Sequence, residues 1–146
     1  MLAALLLAVV PALPIDGPSF SACIPSSPNP QHVCDFLAEV DWEGGEYVIV
    51  LSEKVGMDGQ YAKWKRTDAV FYPNPKSTTS NMVGGSGTLC EYNGEKDDQV
   101  IAIAAHAGSQ QWLTSISHAW KVDVTTKKLI EISPKNVRCE NEGWGV

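Results

Sequence analysis

The chain has 146 residues, which suits one domain with a modest core and is too short for two domains of ordinary size. Its formal net charge of −6 means that a nucleic-acid-binding surface would need a local basic patch against the overall field. The nearest basic cluster, Lys63, Lys65 and Arg66, lies beside Trp64 and is more typical of a solvated strand face. We therefore expect a single domain with no nucleic-acid partner.

The N-terminal segment predicts export. Leu2 to Val10 is an unbroken apolar run of about the length of a signal-peptide core, and it is shorter than the roughly 20 helical residues that span a bilayer. No lysine or arginine precedes the run, but small residues that suit cleavage stand at Ala12 and Ala22. We assign residues 1–22 to a signal peptide and residues 23–146 to the mature domain. No later segment could span a membrane, so we expect a periplasmic or secreted protein.

The cysteines predict disulfides, because their even number suits an oxidising compartment. Three pairings are possible among Cys23, Cys34, Cys90 and Cys139. The short Pro/Ser/Asn segment between Cys23 and Cys34 favours a local bridge, which leaves Cys90 with Cys139. The residues before Cys23 also resemble a lipoprotein box, but three prolines separate them from the apolar run, so we expect a disulfide there.

The first predicted element of the mature chain is a helix over about Gln31 to Asp41. Pro30 suits its first turn, and Gly44-Gly45 ends it. One helical face would carry four apolar residues at i, i+3, i+4 and i+7, namely Val33, Phe36, Leu37 and Val40.

Strands are predicted after the helix. The β-branched run Tyr47 to Leu51 suits a central strand, Tyr61 to Tyr72 holds one or two more, and Thr88 to Tyr92 suits another. Between them, Lys76 to Gly87 is mostly Ser, Thr, Asn and Gly, which predicts a long polar loop.

The segment from Val100 to Ile132 looks like the core of the sheet. Val100 to His106 is a continuous apolar run that suits a strand buried on both faces. Ile116 to Ile132 predicts a β-hairpin, because its residues alternate before a polar turn of Thr and Lys. One face of the first hairpin strand would hold Ile116, His118, Trp120 and Val122. A helix is the alternative, since Trp112, Ile116 and Trp120 also recur at helical spacing.

These elements predict an α+β fold in which the N-terminal helix packs on a five- or six-stranded antiparallel sheet, fastened by two disulfides. The alternative is an all-β sandwich or small barrel with the helix as an appendage. In the chain-entropy model, a bridge between Cys90 and Cys139 would stabilise the fold by about 4 kcal/mol.

The sequence spells out no catalytic, cofactor-binding or metal-binding motif. Gly84-Gly85-Ser86-Gly87 departs from the nucleophile elbow, because Thr88 stands where the second glycine should be, and a flexible loop is the better interpretation. Asn93 to Asp98 resembles part of a calcium loop, but it lacks the alternating Asp register, which favours an acidic hairpin turn. We expect no cofactor.

Histidines would carry any enzymatic activity, because only histidine changes charge near neutral pH without a perturbed environment. If the hairpin pairs with the Val100 strand, His106 and His118 could approach each other, and Asp123 or Asp98 could complete a metal site or an acid/base pair. The competing interpretation makes His118, beside Trp120, a hydrogen-bonded core residue. The candidate site, if the protein is an enzyme, is His106, His118 and Asp123.

Two stretches near the C-terminus resemble known proteins. The run His118-Ala119-Trp120-Lys121-Val122-Asp123, followed by Val137-Arg138-Cys139-Glu140-Asn141-Glu142-Gly143-Trp144-Gly145, is similar to the C-terminal part of small exported proteins of Gram-negative bacteria that carry no assigned function. Val122 to Ile130 is similar to the repeating hairpin of PepSY-type secreted domains, which are linked to protease inhibition, although lysine replaces the usual turn glycine. The first resemblance implies export, and neither transfers a functional residue.

The export signal, the disulfides, the long polar loop and the missing catalytic motifs predict a non-enzymatic module that binds an envelope or extracellular protein or glycan. The alternative function is a small metal-dependent or histidine-using hydrolase. Trp42, Trp64 and Trp144 are candidates for an exposed aromatic platform that would contact a partner.

Overall fold

The structure, a computed structural model, describes residues 18–73, 80–106 and 108–144. Within these ranges the fold is all-β, with twelve strands in three four-stranded antiparallel sheets and three short 3-10 turns. The predicted α+β fold is therefore wrong, and three sheets replace the single sheet of five or six strands. The all-β alternative names the right class, but the helix that it adds as an appendage is absent from the described residues, and a third sheet is present. Residues 1–17, which hold most of the predicted signal peptide, lie outside the described residues.

The sheets differ in how closely they follow the chain. Sheet A is a meander of β1 (Ser21–Ile24), β2 (Phe36–Glu43), β3 (Glu46–Asp58) and β4 (Tyr61–Phe71). Sheet B has the spatial order β11 (Lys128–Ile132), β10 (Ile116–Asp123), β8 (Val100–Ala105) and β5 (Ser80–Gly84). Sheet C has the spatial order β7 (Glu95–Lys96), β6 (Cys90–Tyr92), β12 (Val137–Glu140) and β9 (Trp112–Leu113).

Sheet B is the middle layer, and both of its faces are buried. Along its strand β8, Ile101 and Ile103 pack in the core shared with sheet A, while Val100 and Ala102 pack in the core shared with sheet C. All four side chains are at most 3 % exposed. Full burial of an isoleucine or valine contributes about 1.5–3 kcal/mol, so this strand is a main source of stability. The prediction of a strand buried on both faces is confirmed.

The segment predicted as a helix, Gln31 to Asp41, is a 3-10 turn followed by strand β2. The turn covers Pro30–His32, and β2 pairs with β1 on one side and β3 on the other. The helical spacing overlaps an alternation in which Phe36 and Ala38 are buried. Pairing with two strands satisfies the backbone groups and buries these residues, so the strand is favoured over the helix. No helix among the described residues is long and apolar enough to cross a membrane.

The predicted hairpin from Ile116 to Ile132 is confirmed as β10 and β11. Lys127 has a φ of 59° and supplies the left-handed turn residue that glycine usually provides. The prediction that Ile116 shares a face with His118, Trp120 and Val122 is wrong for Ile116. A register shift lies between Ile116 and His118. Ile116 therefore packs against the core shared with sheet C, whereas Trp120 packs in the core shared with sheet A. A bulge reverses the faces of the residues beyond it.

Two disulfides, Cys23–Cys34 and Cys90–Cys139, are present, and this is the pairing that the sequence favours. The first joins β1 to the loop before β2. The second joins β6 to β12, where Cys90 and Cys139 lie directly opposite each other and are fully buried. Because the Cys23 sulfur is bonded to Cys34, it cannot also carry the lipid that a lipoprotein box would add.

Sheets A and B are joined differently at their two sides. On one side, β4 and β11 are linked by the Asp68 carboxylate, which accepts a hydrogen bond from the backbone N–H of Leu129 at 2.8 Å. An ion pair between Lys127 and Glu53 at 2.9 Å lies on the same side. On the other side the edge strands are β1 and β5, and among the residues that the structure describes each pairs with a strand on one flank only. This open side holds the candidate site.

Candidate binding cleft

A cleft of about 710 Å³ opens between β1 and β5. We call it the edge cleft and define it by β1 with the two residues before it, β5, the 3-10 turn Gly85–Gly87 and residues 140–142. Its volume lies within the roughly 300–1,000 Å³ that is typical of ligand sites. Among the described residues, no strand pairs with the outer flanks of β1 and β5. Gly85 packs against β1 at Ala22 and Cys23, so the backbone groups open to a further strand are those of β5 and of the chain just before Ala22.

Two glycines lie where the chain turns from β5 onto β1, beside the edge cleft. Gly84 has a φ of 121°, and a Cβ atom there would overlap the carbonyl oxygen of Val100. Gly85 has a φ of 74°, and a Cβ atom there would lie 2.8 Å from the carbonyl oxygen of Cys23 and 2.9 Å from the Ala22 Cβ. Only glycine combines these backbone angles with so close an approach, so the chain turns from sheet B directly onto β1.

This geometry corrects the predicted polar loop from Lys76 to Gly87. Residues Ser80–Gly84 form β5, and Gly85–Gly87 form a 3-10 turn against β1 rather than a flexible loop. Residues 76–79 lie outside the described residues. The sequence pattern did not predict strand β5, because most of its side chains are small or polar and only Met82 and Gly84 are buried.

The inner wall of the edge cleft is apolar. Met82 of β5 and Leu113 of β9 are buried, and Phe20 packs partly buried against the core between sheets A and B. An added strand binds a sheet edge through main-chain hydrogen bonds and places alternate side chains in pockets. The edge cleft offers both features, since open backbone edges lie beside an apolar wall.

The rim of the edge cleft carries negative charge. Glu140 and Glu142 line it, and Glu142 Oε1 accepts a hydrogen bond from the Thr88 hydroxyl at 2.9 Å. His106 also lies at the rim, and the described lining residues include no lysine or arginine. This arrangement suits a ligand with cationic side chains.

Asn141 sets the position of the two glutamates. Its side chain is 8 % exposed, and its Nδ2 donates to the carbonyl oxygens of Gly108 at 2.9 Å and Gln110 at 2.8 Å. Its Oδ1 accepts a hydrogen bond from the Gly143 N–H at 3.1 Å. A buried amide that is bonded in this way holds the chain on both sides of it. Nothing in the sequence patterns singles out residues 140–142, because their role depends on contacts with residues 31 to 54 positions away.

The three residues of the hydrolase alternative occupy three different places. His106 follows β8 and lines the edge cleft, whose described lining includes neither His118 nor Asp123. His118 pairs with Ile103 of β8. Ile103 lies three residues before His106, so the two histidines are offset by about 10 Å along the strand direction. The His118 ring stacks on Trp120, with the ring centroids 6.1 Å apart.

Asp123 caps the turn of the β10–β11 hairpin. Its Oδ1 accepts hydrogen bonds from the backbone N–H groups of Thr125 at 3.0 Å and Thr126 at 3.2 Å. These hydrogen bonds favour the ionised form and hold the pKa of the Asp123 carboxyl below its ordinary value; those from Thr126 contribute most and the one from Thr125 contributes less. Asp123 lies five residues beyond His118 on β10, about 17 Å along the strand.

The acidic segment Asn93 to Asp98 forms the predicted hairpin turn. Asn93 with a φ of 54° and Gly94 with a φ of 82° join β6 to β7, as in a two-residue type I′ turn. Asp97 forms an ion pair with Lys121 at 2.6 Å. Within the described part of the chain, no three His, Cys, Asp or Glu residues are grouped so that they could hold a metal ion.

Two of the three tryptophans considered for an aromatic platform lie far apart. Trp42 pairs with Tyr47 near the start of β3, with the ring centroids 4.7 Å apart, and packs against the core. Trp64 pairs with Lys54, which lies seven residues beyond Tyr47 on β3. The two tryptophans are therefore about 24 Å apart along the strand direction. Trp42 and Trp64 therefore do not form one surface, and Trp144 is half exposed near the C-terminus.

A scan against models of known protein families finds no match to this chain. Searches of curated proteins and of solved structures find no match either.

Proposed function

We propose that this protein is an exported, non-enzymatic module whose edge cleft binds an extended polypeptide segment of an envelope or extracellular partner. The observation that carries the proposal is that two unpaired strand edges, β1 and β5, flank one cleft of about 710 Å³. A segment in the cleft would extend a sheet through main-chain hydrogen bonds. Export is supported by the apolar N-terminal run and by the two disulfides, which are typical of oxidising compartments.

The lining of the edge cleft indicates what the bound segment looks like. Glu140 and Glu142 favour lysine or arginine, and the wall around Met82 and Phe20 favours apolar side chains. Side chains alternate along an extended chain, so a segment with alternating basic and apolar residues fits best. We favour a polypeptide over a glycan because only a polypeptide brings the backbone groups that two open strand edges can pair with.

Selection from a phage-displayed library of random decapeptides on the immobilised protein tests the proposal. We expect enrichment of sequences with lysine or arginine alternating with apolar residues, and binding that weakens as salt is raised. An enriched peptide should shift the NMR signals of the backbone amides in β1 and β5, because these groups become hydrogen-bonded. A library without any enriched sequence, or amide shifts confined to other strands, would overturn the proposal.

Charge reversal identifies the residues that matter. Glu140→Lys combined with Glu142→Lys should weaken binding of the enriched peptide at least about tenfold, since like charges then face each other. The matched control is Glu95→Lys with Glu131→Lys, which makes the same change of charge at exposed positions in β7 and β11. Equal binding by both double variants would show that the edge cleft is not the site.

A further inference from the structure

The β3–β4 hairpin extends beyond the other strands of sheet A. Strand β2 pairs with β3 as far as Glu53, and the Lys54 N–H still donates to the Asp35 carbonyl. Beyond Lys54, within the described part of the chain, β3 and β4 pair only with each other. We call residues 54–65 the hairpin arm. A two-stranded hairpin without a packed face is only marginally stable in water, so an arm of this kind gains stability when another surface covers it.

Large apolar side chains on the hairpin arm are exposed to solvent. Val55 is 55 %, Met57 56 %, Tyr61 71 % and Trp64 37 % exposed. The strand register places Met57 and Trp64 on one face of the arm, and Tyr61 lies on the other face together with Lys63 and Lys65. Exposed apolar residues grouped on one element mark a contact surface.

The charge of the hairpin arm is opposite to that of the whole chain. The arm holds three lysines and one aspartate, whereas the whole chain has a net charge of −6. Among the described residues, Lys63 and Lys65 take part in no ion pair, and Lys54 approaches Asp35 only to 3.8 Å. A basic, apolar element on an acidic protein is complementary to the acidic surface of the same protein.

We propose that the hairpin arm of one copy of this chain docks into the edge cleft of a second copy. The inference rests on the proposed function and names the partner of the same site. The arm has the chemistry that the cleft selects, because Lys63 and Lys65 match Glu140 and Glu142 while Met57 and Trp64 match the apolar wall.

The lengths of the two edges agree as well. The Lys54 N–H donates to the Asp35 carbonyl, so among the described residues the open outer flank of β3 is residues 55–58, and β5 has five residues with no strand on its outer flank. The arm segment is about 13 Å long and β5 about 17 Å, so the whole open segment of the arm can pair within the length of β5. Pairing would satisfy backbone groups on both edges and cover the arm.

The hairpin arm and the edge cleft are different surfaces of one molecule, so their contact is heterologous. Each copy then offers one arm and one cleft, and the copies assemble head to tail into a ring or an open chain. The assembly is concentration-dependent and weakens with salt, because its charges lie at a solvent-exposed rim.

Sedimentation velocity from low to several hundred micromolar protein tests the proposal. The wild-type protein should increase in mass with concentration, and high salt should reverse the increase. Lys63→Glu with Lys65→Glu changes the arm, and Glu140→Lys with Glu142→Lys changes the cleft. Each double variant should raise the concentration for half assembly at least about tenfold. The exposed pair Lys128→Glu with Lys135→Glu is the matched control and should assemble as the wild type does.

Mixing the two charge-reversed variants gives the decisive result. The lysine arm of one variant then meets the glutamate cleft of the other, and the glutamate arm meets the lysine cleft, so assembly should return in the mixture. A wild-type protein that stays monomeric at every concentration, or a mixture that does not assemble although both variants keep their disulfides, would overturn the inference. Peptide selection on the edge cleft stands apart from this result, so a monomer that binds basic, apolar peptides would refute self-assembly and leave the proposed function in place.

Discussion

The carboxylate of Asp68 in β4 accepts a hydrogen bond from the backbone N–H of Leu129 in β11 at 2.8 Å. This bond joins the edges of sheets A and B on one side of the molecule. The opposite side has no strand pairing between β1 and β5 and holds the edge cleft. One side of the sandwich is thus fastened by a charged group, and the other side holds the edge cleft.

Removing the Asp68 carboxylate should destabilise the fold. Asp68→Ala leaves the partly buried N–H of Leu129 without its charged acceptor, and we expect a loss of about 1.5–3 kcal/mol in the free energy of unfolding measured with urea. Asp41→Ala is the control. The carboxylates of Asp41 and Asp68 each accept a hydrogen bond from the backbone N–H of the next residue, but among the described residues Asp41 makes no hydrogen bond to another sheet. A loss of equal size in both variants would contradict the role given to Asp68.

The two disulfides should contribute unequally to stability. Replacing Cys90 and Cys139 by alanine opens a loop with a sequence separation of 49, and replacing Cys23 and Cys34 opens one of 11. The chain-entropy model gives losses of about 4 and about 3 kcal/mol, and the alanines at 90 and 139 also leave space in a fully buried site. Urea unfolding of the two double variants checks this order, and a larger loss for the Cys23–Cys34 pair would contradict it.

Glycine should be required at position 85 and replaceable at position 87. Gly85→Ala places a Cβ atom 2.8 Å from the Cys23 carbonyl oxygen at a φ of 74°, so we expect a loss of about 2 kcal/mol or more together with weaker peptide binding. At Gly87 nothing lies within 4 Å of a Cβ atom, and Gly87→Ala should change the free energy of unfolding little. Urea unfolding measures the free energy of unfolding of both variants. Equal values for Gly85→Ala and Gly87→Ala would mean that the 3-10 turn does not contact β1 in solution.

Asp35 should make stability depend on pH in the acidic range. The Ser26 hydroxyl donates to its carboxylate at 2.7 Å and is the largest cause of its lowered pKa; His32 and Lys54 lower it further, and burial opposes them. A lowered folded pKa means that the contribution is present above the ordinary aspartate value of about 3.9 and is lost as pH falls towards the folded value. The wild type should therefore be more stable than Asp35→Asn at neutral pH, and the difference should shrink below about pH 3.9.

NMR titration and unfolding measured across this pH range check the prediction. Ser26→Ala should move the pKa of Asp35 upwards, because the hydrogen bond that favours the ionised form is gone. Asp58→Asn, which removes the same charge at the exposed tip of the hairpin arm, is the matched control. A difference between wild type and Asp35→Asn that grows as pH falls would contradict the sign of the shift.

The mature protein should retain the residues just before Cys23. Cleavage after Ala22 would remove Ser21 and Ala22, which pair with Glu39 and Ala38 in sheet A, and Phe20, whose carbonyl oxygen accepts a hydrogen bond from the Val40 N–H at 3.1 Å. We therefore expect processing before Phe20, earlier than the boundary after residue 22 to which the sequence pattern points. Intact mass of the exported protein, with and without reduction and alkylation, measures both the N-terminus and the two disulfides. A mature chain that begins at Cys23 would show that β1 is shorter than described.

Several strands were predictable because their signals are local. Val100 to Ala105 is continuously apolar, and a segment of this kind is stable only when it is covered on both faces. The alternation before Thr125 and Thr126 similarly predicts the β10–β11 hairpin. The cysteine pairing followed from the short spacing between Cys23 and Cys34, which favours a local bridge and leaves the other two cysteines to each other.

Other features could not be predicted from local patterns. Residues 33–40 carry helical and strand spacing at once, and the two neighbouring strands decide in favour of β2. The short, polar β5 gains its stability from pairing with β8, which lies 16 or more residues further along the chain. The bulge after Ile116 is likewise set by packing against sheet C rather than by its own sequence.

The sequence by itself determined the acidic charge, the cysteine pairs, the most apolar strand and the main hairpin, because composition and short-range periodicity carry these properties. Only the tertiary structure decided that the chain forms three sheets, that β1 and β5 leave two edges open, and that residues 140–142 line the cleft between them. The reason is physical: a strand edge is open or covered according to which distant strands pair with it, and that depends on tertiary contacts rather than on the strand's own residues.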